Sequence, residues 1–407
     1  MADRSLLALS GLNLAVAGMQ TGLGAFLPVY LATHGWHHTE IGFALSLAIV
    51  ATMASQLPGG ALVDALTHKR RAAGVAIIAV ALAALTIGVV SGHAWVLAAQ
   101  ITQGAAAAVL TPAIAAITLS LSRHDVLGER FGNNVRFAAL GSMAAAGAMG
   151  LVGTYSHRAI LLAAAGLGAI ALLALAGIRG ADVAAGPTRT AHAAVLPKSQ
   201  RTARQSPVHE LLLDRRLMVF VAALALFQLG NAALLPIASN GWAVLLGPRT
   251  DLVVAGAIML PQALAAGISP WFGRLAETYG RRLVLLLGFS ALPVRALLFA
   301  TDGNPYLEAL WQGLDGITAA AFGVMIPLVV ADITHSNGRF NLAMGIVGLV
   351  SGVGAAFGNP LAGLLADRFG PMITFGFLAI AGLAAFAVVA ILMPETRDPQ
   401  HAIPPQP

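Results

Sequence analysis

Apolar positions in this chain neither alternate with polar ones, as on a strand, nor form a single stripe on otherwise polar helices. They come in twelve runs of roughly 19 to 29 residues, separated by short polar segments. About 20 apolar residues in helical conformation cross the hydrocarbon core of a bilayer, so each run predicts a membrane-spanning helix. The predicted spans are 6–32, 40–63, 72–91, 94–120, 135–155, 158–178, 217–241, 252–275, 282–300, 305–333, 340–366 and 371–393. The first run, Leu6 to Ala32, is too long for a signal-peptide core and is expected to remain as a helix. The fold class expected is an all-α membrane protein.

Composition strengthens this picture. Of 407 residues, 58% are hydrophobic and 10% charged, whereas soluble domains carry about 25% charged residues. Mean hydropathy is +0.81. So few charges cannot cover a water-exposed surface, but lipid as solvent removes that requirement. The sequence pI near 10.4 does not indicate nucleic acid, because the basic residues form short clusters between apolar runs rather than one patch. With no cysteine, disulfides and thiolate metal sites are excluded.

The cations also set an orientation. With a cytoplasmic N-terminus, 19 of the 23 Lys and Arg fall on the cytoplasmic side, leaving Arg158, Arg249, Arg368 and the membrane-embedded Arg295. Such a split is what the positive-inside rule requires, and omitting one helix would scramble it. Both termini are then cytoplasmic, in a cell membrane expected to be a bacterial inner membrane. Trp36, Trp95 and Trp242 fall at the expected membrane edges, where indoles concentrate. The longest polar stretch, from Arg179 to Arg216, holds seven basic and three acidic residues and is expected to be a cytoplasmic linker, with His209 to Arg216 as a short amphipathic helix. The organisation expected is an N-terminal six-helix bundle (1–178), the linker (179–216), a C-terminal six-helix bundle (217–394) and a cytoplasmic tail (395–407).

The two halves repeat one another. Gln20-x-Gly22-x-Gly24-Ala25-x-Leu27-Pro28 in the first run matches Gln228-x-Gly230-x-Ala232-Ala233-x-Leu235-Pro236 in the seventh. Gly60-x-x-x-Asp64 matches Gly273-x-x-x-Glu277, Gln100-x-x-Gln103-Gly104 matches Gln312-x-x-Asp315-Gly316, and Arg130-Phe131 matches Arg339-Phe340. Four matches in the same order define a duplication, and duplicated helical halves are characteristic of secondary transporters.

These residues resemble the major facilitator superfamily over about residues 6 to 395. The loop between the second and third helices of that family reads Gly-x-x-x-Asp-(Arg/Lys)-x-Gly-x-(Arg/Lys)-(Arg/Lys). Here Gly60, Asp64, Lys69 and Arg70 are in place, with departures at Ala65 and Thr67. The second copy has Gly273, Glu277, Gly280, Arg281 and Arg282, and Pro394-Glu395-Thr396 is similar to the terminal motif of the family. In appearance the chain is nearest to bacterial drug or metabolite:proton antiporter-like permeases. It departs from the exporters of this family at Gln100, where they carry Arg, and in the fifth helix, which has Gly147, Gly150 and Gly153 but no proline. The resemblance implies two pseudo-symmetric six-helix bundles, twelve transmembrane helices in all. Guided by the resemblance, the loop residues are expected to form a gating element, in which the Asp64 carboxylate accepts hydrogen bonds from a neighbouring helix N-terminus and pairs with the loop cations; the alternative is a topology signal only, with the cations kept inside.

Ionisable groups inside a membrane are costly, which makes each a functional candidate. Asp315 lies about ten residues into the tenth run and Arg295 about five from the end of the ninth. A buried carboxylate can load and release a proton as water access alternates, so Asp315 is the proton-coupling candidate, with Arg295 as partner and Glu308 as a competitor for it. A structural ion pair is the alternative. Gln20, Gln100, Gln103, Gln228, Asn231, Gln312 and Asp315 are the substrate-cavity candidates. Three pairs of them stand at i, i+3, on one helix face, and the resemblance implies that their helices line the central cavity. Interhelical hydrogen bonding is the other reading of this set. His34, His37 and His38 cluster at the expected outer mouth; with no cysteine and few nearby acids, a solvated loop is expected there rather than the alternative, a metal site.

No phosphate-binding Gly-x-x-x-x-Gly-Lys-(Ser/Thr) loop is present, so transport is expected to be driven by a gradient, with no cofactor, no catalytic residues and no enzyme activity. The expectation is a secondary active transporter for a small organic solute, coupled to protons and acting as a monomer in the lipid bilayer, with efflux as the first direction. Proton-coupled uptake of a metabolite or siderophore-type solute is the alternative, and a non-transporting sensor of the same fold is a third reading.

Overall fold

The computed structural model describes residues 2–66, 68–90, 92–153, 155–184, 208–246, 250–301, 303–335 and 338–397. Helices account for all of the regular structure among them. They are α1 (Ala2–Ala25), α2 (Leu27–Thr33), α3 (His38–Ala65), α4 (Lys69–Val89), α5 (His93–Leu121), α6 (Leu127–Gly153), α7 (His157–Gly177) and α8 (Gly180–Ala184). A short 3-10 turn, His124–Val126, leads into α6. After the linker come α9 (Val208–Leu213), α10 (Arg215–Asn231), α11 (Leu234–Leu246), α12 (Thr250–Tyr279), α13 (Arg281–Thr301), α14 (Pro305–Trp311), α15 (Leu314–Thr334), α16 (Phe340–Phe369) and α17 (Pro371–Leu392).

Eleven stretches among the described residues are long and apolar enough to cross a membrane. The twelfth long helix is α6, which carries Glu129, Arg130 and Arg136 in its first three turns. It starts at Leu127 rather than near 135, so residues expected in a loop continue the helix instead. Large apolar side chains such as Leu7, Val75, Leu173, Ile380 and Ile391 stand exposed on helices whose other faces are also apolar. Helices that are apolar all round need a lipid environment or a protein interior, and intrahelical bonding satisfies their backbone.

Three predicted spans are each split in two. The first breaks at Phe26, between α1 and α2, and the seventh at Ala232–Ala233, between α10 and α11. Both breaks lie just before a repeat-related proline, Pro28 or Pro236, which falls in the first turn of the following helix, where its missing N–H costs nothing. The tenth breaks at Gln312–Gly313, between α14 and α15. The expected amphipathic segment 209–216 is the short helix α9, followed by Asp214, whose carboxylate accepts from the amides of Arg216 (2.8 Å) and Leu217 (3.3 Å) and caps α10.

The chain divides into two compact units, Met1–Gln205 with Asn337–Gly345, and Ser206–Ser336 with Ile346–Pro407. In the first, α1 packs on α6 and α7, α3 on α5, and α4 on α5 and α7. Its core is aliphatic, built around Leu12, Met19, Leu23, Ile77, Val80 and Leu161, and Tyr30 donates its hydroxyl to the Ile87 carbonyl at 2.8 Å. In the second, α12 packs on α15, and α13 on α15 and α17, with α10 also on α17. Phe227, Phe289 and Phe322 form an aromatic cluster there, with ring centroids 4.7 to 5.5 Å apart.

One pair of repeat-related glycines accounts for part of this parallel packing. A Cβ on Gly104 of α5 would strike the Ala48 carbonyl of α3, and one on Gly316 of α15 would strike the Pro261 carbonyl of α12. Both helix pairs therefore meet backbone to backbone, the close approach that small residues permit.

Candidate functional site

The break before α15 positions the central acid of the second unit. Gln312 N–H still donates to the Glu308 carbonyl, but Gly313 then donates to Leu310, Asp315 to Gln312 and Gly316 to Gly313, at 2.8 to 3.0 Å. These i→i+3 bonds tighten the chain and place Asp315 in the first turn of α15, where helix amides favour a negative charge. Arg295, on α13, points at it: Nη1 lies 2.6 Å from Asp315 Oδ1. Arg295 Nη2 donates to Oδ1 of Asn231, the last residue of α10. The Arg295 side chain is 2% exposed and that of Asp315 29%, so the cation is enclosed while its carboxylate is reachable. Among the described residues, Arg295 Nε and Nη1 have no hydrogen-bond partner, so the contact of Nη1 with Asp315 is an ion pair.

The expected pairing of Arg295 with Asp315 is thus present, and Asn231, singled out as a cavity amide, joins it. Glu308 does not compete for Arg295. It is buried on α14 and accepts from the indole N–H of Trp242 on α11. Trp242 in turn is 1% exposed, its indole N–H turned to that carboxylate.

The amides do not all converge. Gln20 and Gln228 are half-buried and make no side-chain hydrogen bond to the Arg295 cluster. Gln100 and Gln312 are buried, and the Oε1 atoms of Gln100, Gln103 and Gln312 have no partner among the described residues. A buried acceptor left unsatisfied costs about 1–3 kcal/mol, so these three atoms, two of them at the repeat-related positions Gln100 and Gln312, represent unused hydrogen-bonding capacity.

The two copies of the loop motif have diverged in what they hold. Asp64, near the end of α3, accepts from the amides of Asn341 (3.0 Å) and Leu342 (2.8 Å) and from Asn341 Nδ2 (2.6 Å), capping α16. Gly60 lets that helix approach: a Cβ there would strike the Asn341 carbonyl. The Asp64 carboxylate does not pair with the loop cations as expected. Lys69 Nζ lies on the carbonyls of Val63 and Asp64, and Arg70 Nη2 donates to the carbonyls of Leu175 (3.1 Å) and Ala176 (3.5 Å) at the end of α7. Free carbonyls at helix ends attract cations more directly than a carboxylate already satisfied by amides.

In the second copy Gly273 is buried in α12, and Arg281 is enclosed by acids. Its Nη1 lies 3.0 Å from Glu277 and its Nε 3.0 Å from Asp332, with both Arg281 and Asp332 side chains 3% exposed or less. Glu395 accepts from the amides of Arg281 (2.9 Å) and Arg282 (3.1 Å), capping α13, while Arg282 Nη2 reaches the Ala390 carbonyl. Gly280 turns with φ of 98°, where a Cβ would strike Glu395. Asp332 and Asn341 were missed from sequence. Asp332 lies one residue inside the expected end of its span, where a charge reads as interfacial, and Asn341 has no charge to mark it.

The Major Facilitator Superfamily description matches twice, over residues 9–248 and 223–407. An uncharacterized MFS-type transporter of Mycobacterium tuberculosis is 32% identical over 397 residues, covering 96% of this chain and 93% of that one. The class B tetracycline resistance protein of Escherichia coli is 32% identical over 130 residues, 32% of each chain. Among solved structures, the E. coli fucose:proton symporter superposes with a TM-score of 0.72 at 12% identity, over 95% of this chain and 97% of that one. A proton:xylose symporter superposes with a TM-score of 0.73 at 14% identity, over 97% and 96%.

Proposed function

Since the chain belongs to the major facilitator superfamily, and is therefore a multi-pass membrane transporter, we propose that it exports a small organic solute by alternating access, driven by protons that load on Asp315. The observation that carries this reading is the Asp315–Arg295–Asn231 cluster: a permanently charged, enclosed guanidinium whose one counter-charge can be cancelled by a proton. Protonation of Asp315 removes that counter-charge and leaves Arg295 only the Asn231 carbonyl. The site therefore has two states that differ in what holds Arg295, which is what a coupling element requires. The unsatisfied oxygens of Gln100, Gln103 and Gln312 are acceptors for solute N–H or O–H groups. Asp64, on the amides of Asn341 and Leu342, is the releasable tie of the cycle. Efflux is favoured by the match to the tetracycline resistance protein. The distribution of Lys and Arg supports cytoplasmic termini, and the membrane proposed is a bacterial inner membrane.

Uptake is the second reading, favoured by the same cluster. A solute anion arriving together with the proton would restore the charge opposite Arg295 that protonation of Asp315 removes. Proteoliposomes loaded with a pH-sensitive dye separate the two. A panel of amphipathic drugs and small carboxylates is added under an imposed pH gradient. Export by exchange moves protons opposite to solute, and uptake moves them together. Proton movement elicited by solute is expected to vanish in Asp315→Asn. Undiminished movement in that variant would sink the assignment.

A further inference from the structure

A cavity of about 1100 Å³ opens in the first unit where α4 begins. His68, Lys69, Arg70 and Arg71 line it, and the one acidic residue on its wall is Asp64, whose carboxylate is already occupied by α16 amides. Among the described residues, Arg70 is held to the end of α7 by Nη2, and its Nε has no hydrogen-bond partner. Among the described residues neither Arg70 nor Arg71 has a carboxylate at ion-pair distance.

The second unit indicates what is missing here. At the matching corner, Arg281 is surrounded by Glu277, Asp332 and the Glu395 carboxylate on its own amide. At the offset that relates Gln100 to Gln312, the counterpart of Asp332 is Ser120, which lines the cavity and turns its hydroxyl back to the Ala116 carbonyl at 2.9 Å. At the offset that relates Asp64 to Glu277, the counterpart of Glu395 is Asp182, which accepts from Ser5 at 2.6 Å. Each of the three carboxylates that neutralise one corner has therefore been replaced or diverted at the other, where Lys69 stands at the Arg281 position and Arg70 and Arg71 follow it.

We propose that this cavity binds a phosphate group, with Arg70 and Arg71 as its counter-charges and Leu172, Leu175 and Val183 against the apolar part of the molecule that carries it. Basic pockets between membrane helices take anionic lipid headgroups in this way, and guanidinium matches phosphate geometry. The phosphate can come from an anionic phospholipid or a soluble phosphate ester, and the apolar wall favours the lipid.

The test uses the full chain, purified in detergent and stripped of lipid, with thermal unfolding as readout. Dioleoylphosphatidylglycerol at saturation is expected to raise Tm by roughly 4 °C, and dioleoylphosphatidylcholine to leave it unchanged. The response disappears in the Arg70→Gln/Arg71→Gln double variant. Should that variant fail to fold, Ser120→Asp serves instead: it places a carboxylate where Asp332 stands in the other half, raises the lipid-free Tm and abolishes the phosphatidylglycerol response. If glycerol 1-phosphate reproduces the shift and competes with the lipid, the site holds and its ligand is soluble. If it is inert, the ligand is the lipid. An equal response to phosphatidylcholine, or a phosphatidylglycerol response that survives in both variants, overturns the proposal.

Discussion

Arg295 Nη1 stands 2.6 Å from Asp315 Oδ1, with the guanidinium enclosed and the carboxylate partly open. Removing one partner is worse than removing both, because a lone buried charge keeps its desolvation cost without its compensation. Asp315→Asn is expected to destabilise the protein by roughly 2 kcal/mol, less than the 3–5 kcal/mol of a fully buried pair, given the exposure of Asp315. Adding Arg295→Gln to it should recover part of that loss. Thermal unfolding of the two singles and the double in detergent checks this. A double variant less stable than either single would mean that the pair does not act as a unit.

The Arg281 corner should be the most sensitive charged site of the second unit. Arg281 and Asp332 are both buried, so Asp332→Ala is expected to cost about 3–5 kcal/mol and to lower the yield of folded protein. Glu277, more exposed at 13%, should cost less when replaced by Ala. The ranking is read from size-exclusion profiles and Tm, and equal losses at the two positions would contradict it.

Gly104→Ala and Gly316→Ala each drive a methyl into the carbonyl of a neighbouring helix. Overpacking of this kind costs about 1–3 kcal/mol. Gly147→Ala and Gly267→Ala meet nothing within 4 Å and are expected to leave Tm unchanged or raised, since Ala is the better helix former. Should all four variants unfold together, the backbone contact at Gly104 and Gly316 has been given too much weight.

Asp64→Ala removes the acceptor for the amides of Asn341 and Leu342. Losing a helix cap costs about 1 kcal/mol, so exchange of these two amides is expected to speed up about fivefold. Hydrogen–deuterium exchange of the peptide that begins α16 reports it. Lys69→Ala, whose ammonium lies on carbonyls instead, should leave those amides alone.

The long elements were legible because period and length alone identify a membrane helix, and the duplication was legible because glycines and amides recur in order. Arg295 and Asp315 could be paired from sequence because so few charges lie at that depth. Harder to see were contacts in which the decisive group is backbone. Asp64 binds main-chain amides of Asn341 and Leu342, and Arg70 binds main-chain carbonyls of α7. Neither partner leaves a trace in residue type. The breaks at Phe26 and Ala232–Ala233 follow the prolines, but their exact place depends on neighbouring helices. The Trp242–Glu308 contact was not legible either, because an indole at a span end carries no sign of its carboxylate partner.

Duplication in sequence has not produced mechanical equality. Among the described residues, the first unit is interrupted once along its long helices, at Phe26, whereas the second is interrupted twice, at Ala232–Ala233 and Gln312–Gly313. Each interruption is a point where a rod can bend without sliding against its neighbour. The shafts joined carbonyl to glycine, α3 with α5 and α12 with α15, have no such freedom. Among the described residues, the points at which a long helix can bend are therefore more numerous in the latter half, and one of them lies directly before the first turn of α15 that carries Asp315.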